Sequence, residues 1–321
     1  MRSPFRSPAG FVRFAWAVLA YNVVVVLWGA VVRATKSGDG CGRHWPRCNG
    51  EILPELASIK TQIEFGHRLT SGLALVLVAV MAVWAWRAFP RGHEARRGVV
   101  LSTVFILVEA LLGAGLVLLR LVGGNTSVMR AVFASAHLVN TFLLLGALTL
   151  TVWWASGGGA IRVRRQGALG AVLVSAVVAT ILVGATGAVT ALGDTLFPKT
   201  SLGFELSATA HFLERLRIVH PLLAIATGVY ITGAAWLVRR ARPGAATQRL
   251  ANVLTALFAA QMAVGVVNIA LFAPLGMQIF HLFMADLVWI ALVLTAASAL
   301  EHRPADEAAA LPVGAARVAA V

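Results

Sequence analysis

The sequence predicts an all-α integral membrane protein, with eight transmembrane helices that form two tandem four-helix bundles related by a parallel pseudo-twofold repeat. Three observations predict this fold class: the composition, a series of long apolar runs and an internal duplication. Hydrophobic residues make up 59% of the 321-residue chain and charged residues only 12%, whereas soluble domains carry about 25% charged residues. The two cysteines exclude a disulfide-rich scaffold and a four-thiolate metal site.

Eight apolar runs follow one another along the chain, and each is long enough to cross a bilayer as a helix of about 20 residues. Backbone polar groups have no water partners in hydrocarbon, so a helix is the expected structure for every run. Their continuous apolar character also excludes the alternating pattern of an outer-membrane barrel. In chain order the runs cover residues 12–33, 67–89, 98–120, 131–154, 168–192, 216–238, 250–272 and 278–300.

Basic tracts between the runs account for much of the excess of 27 Lys and Arg over 13 Asp and Glu. The positive-inside rule predicts a multi-pass protein of the cytoplasmic membrane with both termini in the cytoplasm, although a basic first outer loop weakens the bias. We interpret the charge as a topology signal and expect no nucleic-acid binding. The first run is too long for the apolar region of a signal peptide, so we expect an uncleaved anchor. Residues 306–321 are expected to form a disordered cytoplasmic tail.

An internal repeat relates the first four runs to the last four. The segment GAVVRATKSGD at 29–39 resembles GATGAVTALGD at 184–194, and His67 aligns with His220 at nearly the same offset. Four spans in each copy would give both copies the same orientation. Chance similarity among helices rich in Ala, Gly and Val is the alternative. The repeat predicts an N-terminal half at 1–160 and a C-terminal half at 161–305.

Four of the eight histidines occupy equivalent places, near the outer start of the second, fourth, sixth and eighth runs: His67, His137, His220 and His281. A single histidine near a helix end is more often a hydrogen-bonded packing residue. Four in equivalent places can instead face one another in pairs inside two bundles. A pair of imidazoles suits six-coordinate haem iron, whereas zinc needs three or four close ligands.

Charged residues near these histidines extend the interpretation. Arg68, Arg130 and Arg217 lie at the same outer level and are candidates for binding haem propionates, with ordinary snorkelling of arginine as the alternative. Glu64 precedes His67 by three residues, so the two share a helix face, and its equivalent in the second copy is Arg217. We interpret Glu64 as a catalytic acid of the first half and the second half as an electron relay. Capping of the helix N-terminus is the alternative role of Glu64.

Two other acidic residues, Glu109 and Asp286, lie inside apolar runs. Glu109 aligns with Gln261 in the second copy. We interpret both acidic residues as buried hydrogen-bond partners of neighbouring helices, with a proton path as the alternative.

Cys41 and Cys48 lie in the short segment CGRHWPRC of the first outer loop. The loop makes a disulfide sterically plausible, and an outer location is oxidising. A structural role and a redox or substrate-holding role for the pair both remain open.

The chain resembles the haem A synthase family, integral-membrane enzymes of cytochrome oxidase assembly, over residues 12–300. The resemblance rests on VVRATKSGDGCGRHWPRCNG, IEFGHRLTSG, the HL pair of the fourth run, RIVHPLLA and QIFHLFMADL. It implies an eight-span enzyme that oxidises a methyl group of haem O to the formyl group of haem A, with haem b as cofactor. It implies that His220 and His281 ligate haem b and that His67 and His137 hold the substrate haem. It also implies that Glu64 is an essential acid and that Cys41 and Cys48 form an outer-loop disulfide.

The implied partners are haem O as substrate, a haem O synthase, an electron-transfer partner and membrane lipids, with a homo-oligomer also left open. One alternative is a membrane b-type cytochrome that relays electrons without modifying haem. It would explain four histidines but neither Glu64 nor the cysteine loop. A transporter built on a repeat is a second alternative.

Overall fold

A computed structural model describes residues 8–56, 58–164, 166–198, 207 and 209–301; the expected tail at 306–321 lies outside them. The described chain is all-helical and contains two isolated β-bridges but no strand. The elements are α1 (Pro8–Ala34), α2 (Ile59–Ala88), α3 (Glu94–Leu118), α4 (Val128–Ala155), α5 (Gly167–Leu196), α6 (Phe212–Arg215), a 3₁₀ turn (Leu216–Ile218), α7 (Val219–Ala241), α8 (Ala245–Ala270) and α9 (Leu275–Ala299). With α6 and α7 counted as one span, eight helices are long and apolar enough to cross a membrane, which confirms the predicted class.

Every span begins one to eight residues before its apolar run, and in the second and sixth spans polar first turns account for the extension. Helix α2 begins at Ile59 instead of residue 67. The Ser58 hydroxyl caps this start by accepting a hydrogen bond from the Thr61 amide at 3.1 Å. The sixth span begins at Phe212 instead of residue 216, with His211 as the N-cap in a reciprocal capping box with Glu214. Glu64 therefore lies inside α2, and it does not cap that helix.

The helices pack as two four-membered rings. In the first half α1 packs against α2, α2 against α3, α3 against α4, and α4 back against α1. In the second half α5, α7, α8 and α9 make the same closed series of contacts. The halves meet through α1 and α4 of the first ring and α5 and α9 of the second. These two rings are the four-helix bundles of the predicted fold, while the tandem repeat stays a prediction from the sequence.

Aromatic rings and one arginine hold the two rings of helices together. The Phe142 and Trp289 rings stack at 5.1 Å, and the Trp289 indole donates to the Phe142 carbonyl at 2.7 Å. Near the end of α1, Arg33 reaches across to α5 and donates to Ala191 O at 2.5 Å and Thr195 Oγ1 at 2.6 Å. The same guanidinium donates to Gln278 Oε1 of α9 at 3.1 Å.

The outward faces of the helices are apolar. Exposed Leu, Val, Ile and Trp side chains are concentrated on α2, α3, α7 and α8, which have few contacts with the opposite half. Such a surface is stable in hydrocarbon and would aggregate in water.

Candidate functional site

The four predicted histidines lie at one end of the bundle, about two to three helical turns from the start of the second, fourth, sixth and eighth spans. Because consecutive spans alternate in direction, these starts share the end that carries the Cys41–Cys48 loop. We call it the disulfide end. All four imidazoles are half-buried.

Each of the four imidazoles lies against a glycine of the preceding span. A Cβ built on Gly29 would lie 3.2 Å from His67 Cε1, and one on Gly187 would lie 3.0 Å from His220 Cε1. A Cβ built on Gly113 would lie 3.6 Å from His137 Nε2, and one on Gly265 would lie 3.2 Å from His281 Cε1. The imidazoles thus point into the rings of helices, and three of the four glycines leave less than ordinary van der Waals space for a side chain. Sequence reasoning did not reveal these glycine contacts.

The second half brings His220 and His281 together. Their ring centroids lie 6.2 Å apart, with the ring planes at 85°. His220 Nδ1 lies 3.1 Å from the Val183 carbonyl, so this nitrogen donates and Nε2 is left with its lone pair. His281 Nε2 lies 3.3 Å from the Gln261 amide, and its buried Nδ1 has no hydrogen-bond partner among the described residues.

In the first half, His137 has a carboxylate partner. His137 Nδ1 lies 2.8 Å from Glu109 Oε1, so Glu109 is a partner for a neighbouring helix as expected, although its side chain is only partly buried. His67 lies close enough to His137 and Glu109 to interact with both electrostatically. The buried His67 Nδ1 has no hydrogen-bond partner within the described ranges.

Glu64 ties the cysteine loop to α2. The buried carboxylate accepts the Cys41 amide on Oε2 at 2.7 Å and Arg68 Nη2 on Oε1 at 2.5 Å. Arg68 also donates to the carbonyls of His44 and Arg47 at 2.6 and 2.5 Å. The predicted Cys41–Cys48 disulfide is present, with its Cα atoms 4.4 Å apart. Glu64 and Arg68 together hold both ends and the middle of this loop.

The other two propionate candidates are also engaged with the protein. Arg130 is buried and donates to the carbonyls of Gly123 and Asn125, both at 2.7 Å. Arg217 is buried, pairs with Asp194 at 2.9 Å and donates to the Gly193 and Phe197 carbonyls. Propionate binding by Arg68, Arg130 and Arg217 stays a prediction.

Asp286 differs from its expectation. Its side chain is fully buried, and neither carboxylate oxygen has a hydrogen-bond partner among the described residues. The residues one turn away on α9, Leu282 and Ile290, are apolar and offer it no side-chain donor. Within the described ranges, no three His, Cys, Asp or Glu side chains converge on a common point that could hold a metal ion.

Fold and site define an eight-span membrane protein with one pair of histidines in each of two four-helix rings. The family model described as cytochrome oxidase assembly protein, COX15-CtaA, matches residues 12–293. The chain belongs to this family, which confirms the resemblance inferred from its motifs.

Individual relatives are named in two ways. A Thermus thermophilus protein named protoheme IX farnesyltransferase is 51% identical over 293 residues, which cover 90% of this chain and 48% of the relative. A heme A synthase of Geobacillus kaustophilus is 37% identical over 140 residues, covering 44% and 43% of the two chains. A heme A synthase of Halalkalibacterium halodurans is 44% identical over 95 residues, covering 30% and 32%. The chain thus spans about half the length of the Thermus relative.

Proposed function

We propose that this protein is a haem A synthase, which oxidises a methyl group of haem O to the formyl group of haem A. Membership of the COX15-CtaA family and the relatives named heme A synthase support the reaction class. The observation that carries the proposal is the spacing of His220 and His281. It supports a bis-histidine haem b in the second half.

The spacing can be tested against the size of the group. Two imidazoles that shared one metal ion, each with a metal–nitrogen bond of about 2 Å and about 1 Å from that nitrogen to its ring centre, would have centroids about 6 Å apart. The centroids of His220 and His281 lie 6.2 Å apart. The Val183 carbonyl fixes which nitrogen of His220 remains for a metal, as second-shell partners of metal-ligating histidines do. When bound, haem b would supply one-electron transfer between the substrate and an outside partner.

The first half is the proposed substrate site. His67 and His137 would hold the iron of haem O, with the His137 ring oriented by Glu109. Oxidation of the methyl group to a formyl takes its oxygen atom from one water molecule and releases four protons and four electrons, which pass to the electron-transfer partner. The Glu64 carboxylate can accept a proton from the reacting carbon, or its negative charge can stabilise positive charge that develops there. Its bonds to Cys41 and Arg68 keep this carboxylate in one position.

The proposed partners follow from the same reaction. The electrons need an electron-transfer partner, and the substrate needs a haem O synthase to make it. The Thermus relative is named protoheme IX farnesyltransferase, and this chain matches only 48% of its length. The name therefore can refer to the part of the relative that this chain does not match, which supports a haem O synthase as the second partner. We place the protein in the cytoplasmic membrane, with both termini in the cytoplasm and the disulfide end outside, as the positive-inside rule favours.

Pigment analysis tests the proposed reaction. The full chain is produced together with a source of haem O, purified from membranes, and its haems are extracted and converted to pyridine complexes. A formyl haem in the extract, absent from membranes without this chain, supports the synthase. Unmodified haem b alone would contradict it and favour the b-type cytochrome, since that alternative also needs bound haem. The absence of any bound haem would contradict both.

A further inference from the structure

The polar partner of the second histidine differs between the two halves. In the first half His137 faces the Glu109 carboxylate at 2.8 Å. In the second half His281 faces the Gln261 amide at 3.3 Å. Each partner lies one helical turn before the glycine against which its histidine packs. The two partners occupy matching places on their helices, but the carboxylate accepts from Nδ1 of His137 whereas the amide nitrogen faces Nε2 of His281.

Hydrogen-bond donors surround the Glu109 carboxylate. Thr141 Oγ1 lies 2.5 Å from Oε1, and Asn140 Nδ2 lies 2.5 Å from Oε2. Asn140 is itself fixed, because its amide also donates to the Phe105 carbonyl at 2.9 Å. Three donors around two oxygens are the environment of a carboxylate that only accepts. The His137 Nδ1 consequently carries its proton, and Nε2 keeps the lone pair that a metal would take.

A carboxylate behind a metal-binding imidazole raises the basicity of that ligand. Hydrogen bonding around the axial ligands is one of the means by which a protein sets the potential of haem iron. The Gln261 amide nitrogen that faces His281 Nε2 is a donor and takes up no imidazole proton, so it does not raise the basicity of that ring.

We infer that Glu109 is a positioning residue that makes His137 a stronger electron donor than His281, so that an iron porphyrin in the first half is oxidised more easily than one in the second. The inference rests on the proposed function, which assigns His137 to the substrate haem. This order of potentials favours oxidation in the half that contains Glu64. Gln261 marks the half in which a reduced iron is stabilised.

Spectroelectrochemical titration of the purified full chain, supplied with iron protoporphyrin IX, measures both sites. The component that His137→Ala removes is assigned to the first half, and the component that His281→Ala removes to the second. The substitution Glu109→Gln should raise the midpoint potential of the first component and leave the second unchanged. The reciprocal Gln261→Glu should lower the second component alone. The control Glu94→Gln, at the opposite end of α3, should move neither.

Each result decides the inference. If both haems bind and neither Glu109→Gln nor Gln261→Glu shifts its component, the inference is overturned while the proposed function stands. If Glu109→Gln does not fold, the Gln261→Glu shift alone decides. If haem is bound only by His220 and His281, the inference and the proposed substrate site at His67 and His137 are both wrong. The assignment of haem b to the second half would still hold. No bound haem would overturn the proposed function itself.

Discussion

At the scale of single residues, the carboxylate oxygens of Glu64 have both a structural and a proposed chemical role. It anchors the Cys41 amide and the Arg68 guanidinium, and in the proposed reaction it supplies negative charge to the methyl carbon. Removing one member of a buried ion pair typically costs about 3–5 kcal/mol. A test of its chemistry therefore has to preserve its shape.

The substitution Glu64→Gln meets that requirement, because the amide oxygen can still accept the Cys41 N–H. We expect haem content to stay near that of the wild type and formation of formyl haem to fall by about 100-fold or more, as for loss of a general acid–base group. Haem extraction and rate measurement on the same preparation check both. The exposed loop residue Glu51 provides the control, Glu51→Gln, which should leave the rate unchanged. Loss of haem b from Glu64→Gln would contradict the proposed division between the halves.

The histidines of the second half allow a sharper spectroscopic prediction. Either His220→Ala or His281→Ala should abolish the haem b absorption, because one of the two imidazoles that would hold the iron is lost. The matched control is His44→Ala, whose exposed ring lies in the cysteine loop. A haem b spectrum that persists in both site variants would move the cofactor to the first half.

At the scale of helices, glycines decide how close neighbouring spans can bring an imidazole. Gly187 of α5 is the tightest case, because an added Cβ would lie 3.0 Å from His220 Cε1. Alanine normally stabilises a helix interior by about 1 kcal/mol relative to glycine. A loss at this position would thus reflect the contact with His220 and not the helix itself.

We expect Gly187→Ala to weaken haem b binding and to alter its absorption spectrum, since the His220 ring must shift. Titration with haem, followed by difference spectroscopy, measures both effects. At Gly233 of α7, an added Cβ meets no described atom within 4 Å. The control Gly233→Ala should therefore bind haem like the wild type. Equal haem affinity in the two variants would refute a positioning role for Gly187.

At the scale of the whole molecule, Arg33 connects the two rings of helices. Its guanidinium on α1 donates hydrogen bonds to oxygens of α5 and α9. The Phe142–Trp289 stack lies in the same interface. Charged groups inside a membrane protein are costly unless they are paired or hydrogen-bonded. The contact is therefore specific to the docked arrangement of the halves.

The substitution Arg33→Gln should destabilise the docked halves by about 2 kcal/mol, because partly buried acceptors on α5 and α9 lose their donor. A lower melting temperature of the detergent-solubilised protein measures this loss. The control Arg97→Gln removes an exposed pair with Glu94 and should change stability by less than about 1 kcal/mol. An unchanged melting temperature for Arg33→Gln would show that the other interface contacts suffice.

The sequence predicted the eight spans because apolar length is a local property, but it misplaced their polar starts. Lys60 and Gln62 lie in the first turns of α2 and hide its beginning from hydropathy; the capping residue Ser58 is the signal that could have revealed it. The four histidines were predicted from their equivalent places along the chain. Their glycine neighbours were not, because the rotation of each helix about its axis depends on packing.

Arg33 was visible as a cation at the end of an apolar run, yet its partners could not be predicted. They lie on α5 and α9, far away in sequence, and depend on how the two rings dock. Asp286 was predicted to be buried and is buried, but no local pattern shows what faces it across the interface.

The bonds of Arg33 have a consequence for the order of biosynthesis. A polypeptide emerges from the ribosome N-terminal part first, so α1 enters the membrane long before the Gln278 side chain of α9 exists. Until the last span has been inserted, the guanidinium lacks one of its three acceptors. A nascent chain that is interrupted before α9 would leave this cation incompletely satisfied.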